Sequence, residues 1–252
     1  MKEAIFISVR TGSSRLPNKA ILEIGGRKTI EYLIERIKLA TTTKNIVLCT
    51  TKLREDDVLC KIATNNNIKF YRGSSSDKLQ RWLDAATHFK IDFFVNADGD
   101  DIFYDAPLAD LCLKQLQDSN IDFVDGSGLY NDVYGIKTTA LEQVCSIKDT
   151  DETEFIKPYF VDTGMFKVER LKNVPEIYKK VNIRMTLDYE DDLKFFDKII
   201  DSLKDGKQYL SFNKILEFLK NNPDVIDINF YLDEAWKKNQ QRLSKLVLKV
   251  AM

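Results

Sequence analysis

Short apolar runs alternate with amphipathic segments between residues 4 and 124, and this alternation is the feature that most limits what the chain can fold into. The apolar runs have the length of single strands, and the segments between them carry apolar residues at helical spacing. Strands are predicted at residues 4–9, 45–50, 68–71, 93–97 and 121–124, and helices at 29–39, 56–66, 77–89 and 107–119. Such βαβ alternation predicts a mainly parallel sheet covered on both faces, with ligands held at the carboxyl ends of its strands.

The regular pattern loosens between residues 126 and 180, where we expect short antiparallel strands and an insertion. It resumes with a predicted strand at 182–187 and a helix at 189–203, followed by helices at 211–221 and 232–250. The last helix carries an apolar stripe that could pack on the domain or on a second subunit, and packing on the domain is expected. Its members are Trp236, Leu243, Leu246, Val247 and Val250.

Composition narrows the functional classes. The 252 residues include 38 Lys and Arg against 39 Asp and Glu, and this balance argues against a nucleic-acid partner. The apolar start of the chain is too short for a signal peptide or a membrane span, so we expect a cytoplasmic protein. Four scattered cysteines favour neither disulfides nor a zinc site, and a single histidine, His88, nearly excludes histidine-based catalysis.

Residues 10–19, which we call the cation loop, read RTGSSRLPNK and fall between the first predicted strand and the first predicted helix. Arg10, Arg15 and Lys19 place three positive charges in one loop, Gly12 permits close backbone approach, and Ser13 adds a hydroxyl donor. The loop therefore predicts a polyanionic ligand, with a solvated basic loop as the alternative. Its spacing matches neither a P-loop nor a dinucleotide-binding glycine motif.

Two acidic segments follow predicted strands. Residues 96–101 read NADGDD, and carboxylates at a strand end beside a cationic loop are typical of a site for a hard divalent cation, although a turn also prefers Asp and Gly. Residues 184–192 read RMTLDYEDD, where Asp188 is the expected ligand and Glu190 and Asp191 favour the helix dipole. Two carboxylates about 4 Å apart repel by roughly 4 kcal/mol at an effective dielectric of about 20, so such a pair needs a cation. We expect Mg²⁺.

Residues 72–77, which we call the serine loop, read RGSSSD and follow the third predicted strand. Arg72 and its neighbours could contact a base or a ribose. The alternative is a loop in which Asp77 caps the next helix.

The cation loop resembles the R-x-G-S-x-R-L-P-x-K signature of the cytidylyltransferases that make CMP-activated acidic sugars. This group includes the acylneuraminate, 3-deoxy-manno-octulosonate and SpsF-like spore-coat polysaccharide enzymes, and the resemblance is closest to the SpsF-like branch. It extends over residues 25–27, 72–81, 96–101 and 184–192.

The resemblance implies a three-layer αβα nucleotidyltransferase fold, GT-A-like and Rossmann-like, in a domain of residues 1–204. That domain would contain the irregular insertion 126–180, which is a region used for homodimerisation in such enzymes, and a helical C-terminal tail of residues 205–252 would follow it. The implied reaction is attack of an acceptor hydroxyl on the α-phosphorus of CTP with loss of pyrophosphate. The acceptor would be a small acidic sugar or similar acid.

The resemblance also implies residue roles. Asp100 and Asp188 would bind Mg²⁺, and Arg10, Lys19 and Asp100 would be catalytic. The implied nucleotide-binding residues are Arg10, Gly12, Ser13, Arg15, Lys19, Arg72, Ser74, Asp77 and Asp98.

The chain departs from the family pattern at three positions. Asn18 stands where a glycine usually precedes the loop lysine, Asp101-Ile102 stands where a proline usually follows the metal aspartate, and Phe155 replaces a histidine of the middle region. Two other functions stay open at this point. Asp98-Gly-Asp100 is also the D-x-D pattern of a GT-A glycosyltransferase, and a catalytically silent nucleotide-binding relative would carry the same loops.

Overall fold

A computed structural model describes residues 1–117, 120–179, 182–203, 210–243 and 245–249 of the chain. The strands are Glu3–Ser8 (β1), Glu23–Ile24 (β2), Arg27–Lys28 (β3), Ile46–Thr51 (β4), Lys69–Gly73 (β5), Phe93–Asp98 (β6), Phe123–Gly126 (β7), Val133–Lys137 (β8) and Val168–Arg170 (β9). The helices are Thr29–Ile37 (α1), Asp57–Asn65 (α2), Lys78–Phe89 (α3), Ala106–Leu116 (α4), Thr138–Ile147 (α5), Lys157–Val161 (α6), Glu190–Leu203 (α7), Phe212–Asn221 (α8), Pro223–Phe230 (α9) and Asp233–Leu243 (α10). Single 3₁₀ turns lie at Lys19–Ile21, Arg54–Asp56 and Glu176–Tyr178.

Seven strands form one central sheet in the order β5-β4-β1-β6-β8-β7-β9, and β2 and β3 form a small hairpin. Strand β1 pairs in parallel with β4 and with β6, and β4 pairs in parallel with β5. Strand β8 runs antiparallel to both β6 and β7, so β7 and its parallel neighbour β9 run in the same direction as β1. The carboxyl ends of six strands therefore lie along one edge of the sheet.

The two faces of the sheet are covered by separate apolar clusters, which explains the continuous apolar runs of the inner strands. In β1, Ile5 and Ile7 belong to the larger cluster and Ala4 and Phe6 to the smaller one. All six residues of β4 are buried. The predicted three-layer α/β architecture is confirmed.

The strand predicted at residues 182–187 is wrong. The apolar residues Ile183, Met185 and Leu187 alternate with polar ones as in a strand and are buried, but Arg184 between them is buried too, and the segment does not join the sheet. The backbone N–H of Leu187 instead donates to the carbonyl oxygen of Asp100, at 3.0 Å. Apolar alternation thus reports burial here rather than strand pairing.

The region 126–180, predicted to be irregular, contains regular elements. Strand β8 supplies the predicted antiparallel pairing, and α5 buries Ala140, Leu141 and Val144 in the smaller cluster. The region therefore completes the sheet and covers one of its faces.

The C-terminal segment contains three described helices where two were predicted. The predicted helix 232–250 is wrong beyond Leu243, because Leu248 forms an isolated antiparallel bridge with Lys148. In the predicted stripe, Leu246 packs against the smaller cluster, while Val250 lies outside the described residues. Earlier in the segment, Phe212 and Ile215 are buried in the larger cluster, so these helices pack on the sheet domain. Within the described segments, no helix has the length and apolar character that a membrane span requires.

Candidate active site

The cation loop is held at its base by a buried carboxylate. Asp56 accepts hydrogen bonds from the backbone N–H and the hydroxyl of Thr11, at 2.8 and 2.7 Å, and from the hydroxyl of Thr51 at the end of β4. Burial raises the pKa of Asp56, but the hydrogen bonds from Thr51 and Thr11 outweigh it and hold the pKa below its ordinary value. Asp56 therefore stays ionised and fixes the start of the loop against β4.

The end of the cation loop turns through Asn18, which has a left-handed conformation with φ of 60°. The backbone N–H of Asn18 donates to the carbonyl oxygen of Thr11 at 3.1 Å and closes the loop. Glycine is the residue best suited to this conformation, and asparagine is among the few others that tolerate it. Asn18 therefore preserves the backbone path where the family usually has glycine.

Lys19 forms ion pairs with both predicted metal ligands. Its Nζ lies 2.6 Å from Oδ2 of Asp100 and 2.8 Å from Oδ1 of Asp188. Asp100 lies in the turn after β6, and Asp188 directly precedes α7. The backbone hydrogen bond between Leu187 and Asp100 brings these segments together.

The turn that carries Asp100 also requires a close approach. A Cβ atom at Gly99 would lie 2.6 Å from Cγ2 of Val9, at the end of the neighbouring strand β1. Only glycine lets the acidic turn pack this closely against the start of the cation loop.

A second cation completes the carboxylate cluster, since Nη2 of Arg15 lies 2.6 Å from Oδ1 of Asp188. Burial raises the pKa of Asp188, but Lys19 and Arg15 outweigh it and bring the pKa to about 2. Burial lowers the pKa of Lys19, but Asp100 and Asp188 outweigh it and raise the pKa above its ordinary value. At neutral pH Asp188, Lys19 and Arg15 are therefore all charged.

Asp192 organises the segment before α7 and was not predicted as a functional residue. Its Oδ2 accepts from the backbone N–H groups of Asp188 and Tyr189, at 2.8 and 2.9 Å, as in a helix capping box. Its Oδ1 accepts from Nε of Arg184 at 2.7 Å and from Nδ2 of Asn229 at 2.9 Å. Asp192 and Asn229 have no exposed surface, so the Asp192 carboxylate is bound in the protein interior.

The remaining residues predicted around the cation loop lie at its rim. Arg10 donates to the carbonyl oxygen of Ser75 at 2.6 Å and pairs with Glu154 at 3.3 Å. Ser13 accepts a long hydrogen bond from the backbone of Leu16, at 3.4 Å, and a side chain at Gly12 would contact Glu55. Arg10 has the most exposed side chain of the three loop cations, at 37% against 29% for Arg15 and 15% for Lys19.

Asp98, the last residue of β6, pairs with a lysine that sequence reasoning missed. Nζ of Lys78 lies 2.6 Å from Oδ1 of Asp98, and the lysine also covers the ring of Trp82 at 4.9 Å. Lys78 is the first residue of α3, where no motif singled it out.

The serine loop makes contacts of another kind. Arg72 donates to the carbonyl oxygens of Thr51 and Leu53 and pairs with Asp57 at 2.6 Å. The hydroxyl of Ser74 accepts from the backbone N–H of Asp77 at 3.1 Å.

Asp77 is the N-cap of α3, as the alternative interpretation stated, and it is buried. Its Oδ1 accepts from the backbone N–H of Gln80 at 3.0 Å and from the hydroxyl of Thr153 at 2.8 Å. Its Oδ2 pairs with the buried Lys148 at 2.5 Å. The nucleotide-binding roles of Arg72, Ser74 and Asp77 stay predictions.

The donor set fits a hard divalent cation. One carboxylate oxygen of Asp100 and one of Asp188 already lie within 2.8 Å of a single positively charged atom, Nζ of Lys19. No cluster of three or more His, Cys, Asp and Glu side chains suited to a metal occurs among the residues that the structure describes. A cation bound by two carboxylates takes its other ligands from water and from substrate phosphates, which is the usual arrangement for Mg²⁺.

Comparison with known proteins identifies the family. A family model described as cytidylyltransferase matches residues 4–196, which include the cation loop, the acidic turn and Asp188. The chain belongs to the cytidylyltransferase family. It is therefore a nucleotidyltransferase that uses CTP for cytidylyl transfer, and the resemblance of the cation loop to this family is confirmed.

Relatives of this cytidylyltransferase extend over nearly the whole chain. It is 31% identical to the uncharacterised protein MJ1063 of Methanocaldococcus jannaschii, over 91% of this chain and 95% of the relative. It is 22% identical to the spore coat polysaccharide biosynthesis protein SpsF of Bacillus subtilis, over 89% of this chain and 97% of the relative. A cytidylyltransferase structure from Leptospira borgpetersenii has a TM-score of 0.79 and 28% identity, and the match covers 90% of this chain and 97% of that one.

Proposed function

We propose that this cytidylyltransferase transfers CMP from CTP to an acidic sugar or similar small acid, with Mg²⁺ and with release of pyrophosphate, in the synthesis of cell-surface glycan precursors. The observation that carries the proposal is the meeting of Lys19 with Asp100 and Asp188, at 2.6 and 2.8 Å, at the carboxyl edge of a parallel sheet. Cations and metal-binding carboxylates at this position are suited to a nucleoside triphosphate.

The roles of the side chains follow from their charges. Arg10, Arg15 and Lys19 bind the phosphates and stabilise the charge that develops on the departing pyrophosphate. A hydroxyl oxygen of the acceptor forms a bond to the α-phosphorus and loses its proton to solvent. The bond from that phosphorus to the bridging oxygen breaks, and pyrophosphate leaves with that oxygen. The protein mainly positions the reactants and neutralises charge, so it needs no covalent nucleophile.

Asp100 and Asp188 are the residues that would hold Mg²⁺. When bound, the ion supplies charge neutralisation at the phosphates and lowers the pKa of the attacking hydroxyl. The ammonium group of Lys19 contacts the same two carboxylates. Lys19 and the metal ion would therefore bind the same two carboxylates. With Mg²⁺ on the carboxylates, the ammonium group of Lys19 would be available to contact a phosphate.

The acidic acceptor and the glycan pathway are supported by the cation-loop signature and by the relative SpsF, whose name places it in spore coat polysaccharide synthesis. A homodimer formed through residues 126–180 is part of the proposal and is tested by sedimentation. A glycosyltransferase has less need of a three-cation loop, because its donor carries a diphosphate.

Pyrophosphate release tests the proposal directly. The protein is incubated with each of the four ribonucleoside triphosphates, Mg²⁺ and a panel of acidic sugars, beside Asp100→Asn and the control Asp227→Asn. Asp227 lies on an exposed face of α9. We expect release with CTP and one class of acceptor, loss of release in Asp100→Asn, and full activity in Asp227→Asn.

Two outcomes would contradict the proposal. Release that persists in Asp100→Asn would remove the metal role of this residue. Stabilisation of the protein by a nucleotide-sugar but not by CTP with Mg²⁺ would favour a glycosyltransferase, since a ligand that prefers the folded state raises the melting temperature.

A further inference from the structure

The two carboxylate oxygens of Asp188 face different parts of the molecule. Oδ1 accepts from Lys19 and Arg15, so it faces the cation loop. Oδ2 accepts a hydrogen bond of 2.7 Å from the indole Nε1 of Trp236, in the C-terminal helix α10. The segment that carries Trp236 lies outside residues 4–196, which the family model matches.

Trp236 is itself held in place by buried polar groups. The guanidinium of Arg184 lies 5.4 Å from the centre of the indole ring, a distance that allows a cation–π interaction. Arg184 makes two hydrogen bonds to Asp192, at 2.7 and 3.0 Å. Asn229, at the end of α9, donates to the same carboxylate at 2.9 Å.

The network therefore connects the C-terminal helices to the start of α7. Arg184, Asp188 and Asp192 are each 1% exposed or less. Because Asn229 and Trp236 lie on either side of the short turn between α9 and α10, their hydrogen bonds fix that turn against the segment that carries Asp188.

The charge of the group that donates a hydrogen bond to a carboxylate affects how well that carboxylate can bind a metal ion. Nη2 of Arg184 also lies 3.7 Å from Oδ2 of Asp188, while Arg184 makes its two hydrogen bonds to Asp192. The indole N–H makes the direct hydrogen bond to Oδ2, and because it is neutral it orients the carboxylate without adding a further positive charge. A hydrogen bond on Oδ2 leaves Oδ1 directed toward Lys19 and Asp100, where a cation would bind. Groups that hydrogen-bond to a metal ligand on the side away from the metal commonly set the orientation of that ligand and the affinity of the site for the metal.

We propose that Trp236 is a positioning residue that holds Asp188 for the divalent cation, so that the C-terminal helices are part of the active site. This inference rests on the proposed function, because it requires Asp188 to be a metal ligand. Without the indole hydrogen bond, Asp188 can rotate and form its stronger contacts with Arg15 and Lys19 alone, and the metal ion then binds less tightly.

The test separates metal binding from nucleotide binding. CTP is titrated into the full-length protein by calorimetry, without acceptor, once with EDTA and once with saturating Mn²⁺. The ratio of the two dissociation constants is the gain in CTP affinity that the metal provides. We expect Trp236→Phe to reduce this ratio about tenfold, in line with losses of 10- to 100-fold for such supporting groups, and to leave the dissociation constant in EDTA unchanged.

Trp82→Phe is the matched control. Trp82 is fully buried in α3, and its Nε1 has no hydrogen-bond partner among the residues that the structure describes. Trp82→Phe makes the same Trp-to-Phe substitution at a buried position, but it removes no hydrogen bond to the site. We expect its metal-dependent gain to equal that of the wild type, even if its melting temperature falls.

Asp188→Asn distinguishes the two proposals. If this variant keeps the full gain, Asp188 is not a metal ligand and that part of the proposed function fails. If Asp188→Asn abolishes the gain while Trp236→Phe keeps it within twofold, the metal role of Asp188 stands and the positioning role of Trp236 is wrong. A fall in melting temperature without a change in the gain would likewise show that Trp236 only packs.

Discussion

The cation loop and the serine loop look alike in sequence but make opposite kinds of contact. Both lie at the carboxyl end of a parallel strand, and both combine arginine with several serines. In the cation loop, Arg15 and Lys19 contact a carboxylate more than 160 residues away, at Asp188. In the serine loop, Arg72 contacts the neighbouring segment after β4, and Asp77 caps its own helix.

The difference follows from the places of the two strands in the sheet. Strand β1 lies between β4 and β6, whose carboxyl ends bring Asp56 and Asp100 beside the loop. Among the strands that the structure describes, β5 is at the edge of the sheet and pairs with β4 alone. A charged loop at an inner strand end can converge with other loops on a ligand, whereas a loop at the edge has fewer partners and its charges support local structure.

The largest effect is expected from Lys19→Met. The change removes a cation that is proposed to bind phosphate and leaves Asp100 and Asp188 with less charge compensation. It should lower kcat/KM for CTP roughly a hundred- to a thousandfold, as for other groups that stabilise developing charge. Steady-state pyrophosphate release measures it. The control is Lys52→Met, which removes an exposed lysine near the site and should retain wild-type activity. Similar losses in both variants would contradict the special role of Lys19.

Arg15→Gln and Arg72→Gln compare the two loops directly. A hydrogen bond to a charged group contributes about 2 kcal/mol, so loss of a phosphate contact at Arg15 should raise the dissociation constant of CTP roughly thirtyfold. Arg72 forms a partly exposed ion pair, which is worth at most about 1 kcal/mol, so its loss should change CTP binding less than fivefold. Calorimetric titration of CTP with Mg²⁺ compares the two. Equal effects would remove the distinction between the loops and would support direct nucleotide binding by Arg72.

The pH dependence of stability tests the charged cluster without any ligand. The pKa of Asp188 is lowered to about 2, so its ionised form stabilises the folded state above the ordinary Asp pKa near 4, and this contribution is lost as the pH falls toward 2. The total is about 2 kcal/mol, of which about 1 kcal/mol is lost between pH 6 and pH 3.

Urea unfolding of the wild type and of Asp188→Asn across this pH range measures the effect. The difference in the free energy of unfolding between the two should shrink as the pH falls. Asp227→Asn, at an exposed position, should follow the wild type at every pH. A difference that stays constant would mean that the cluster does not depress the pKa of Asp188.

The smallest effect is expected from Glu154→Gln. Glu154 forms an exposed ion pair with Arg10 at 3.3 Å, and under the proposed function it would compete with phosphate for that arginine. Its neutralisation should tighten CTP binding about twofold and change the free energy of unfolding by less than about 0.5 kcal/mol. Weaker CTP binding in this variant would assign Glu154 a role in binding rather than in competition.

Most of the sheet and the centre of the site could be predicted because their signals are local. The strand–helix alternation up to residue 124 matches β1, β4, β5, β6 and β7 and the helices between them. The segment 182–187 could not be predicted, because burial against a turn and pairing in a sheet produce the same alternation of apolar residues. The surroundings of Asp101 were not predicted either. Asp101 is buried, and burial together with the charges of Asp100 and Asp98 raises its pKa.

The sequence by itself determined that Lys19 and Asp100 would lie near each other. Each residue follows a strand of a parallel sheet, and parallel strands end at one edge, so the motif and the topology together place them. Asp188 was predicted because it would lie at the end of a strand at 182–187, but that segment does not join the sheet, and the backbone hydrogen bond from Leu187 to Asp100 brings Asp188 to the site instead.

Only the tertiary structure decided which side chains surround Asp188. Trp236 reaches it across 48 residues, and Asn229 reaches Asp192 across 37. Contacts of this range depend on how three C-terminal helices pack on α7, and helical periodicity marks which face of a helix is buried but not the groups it meets. The residues that hydrogen-bond to Asp188, the proposed metal ligand, and to Asp192 are therefore visible in the folded protein and not in the pattern of its sequence.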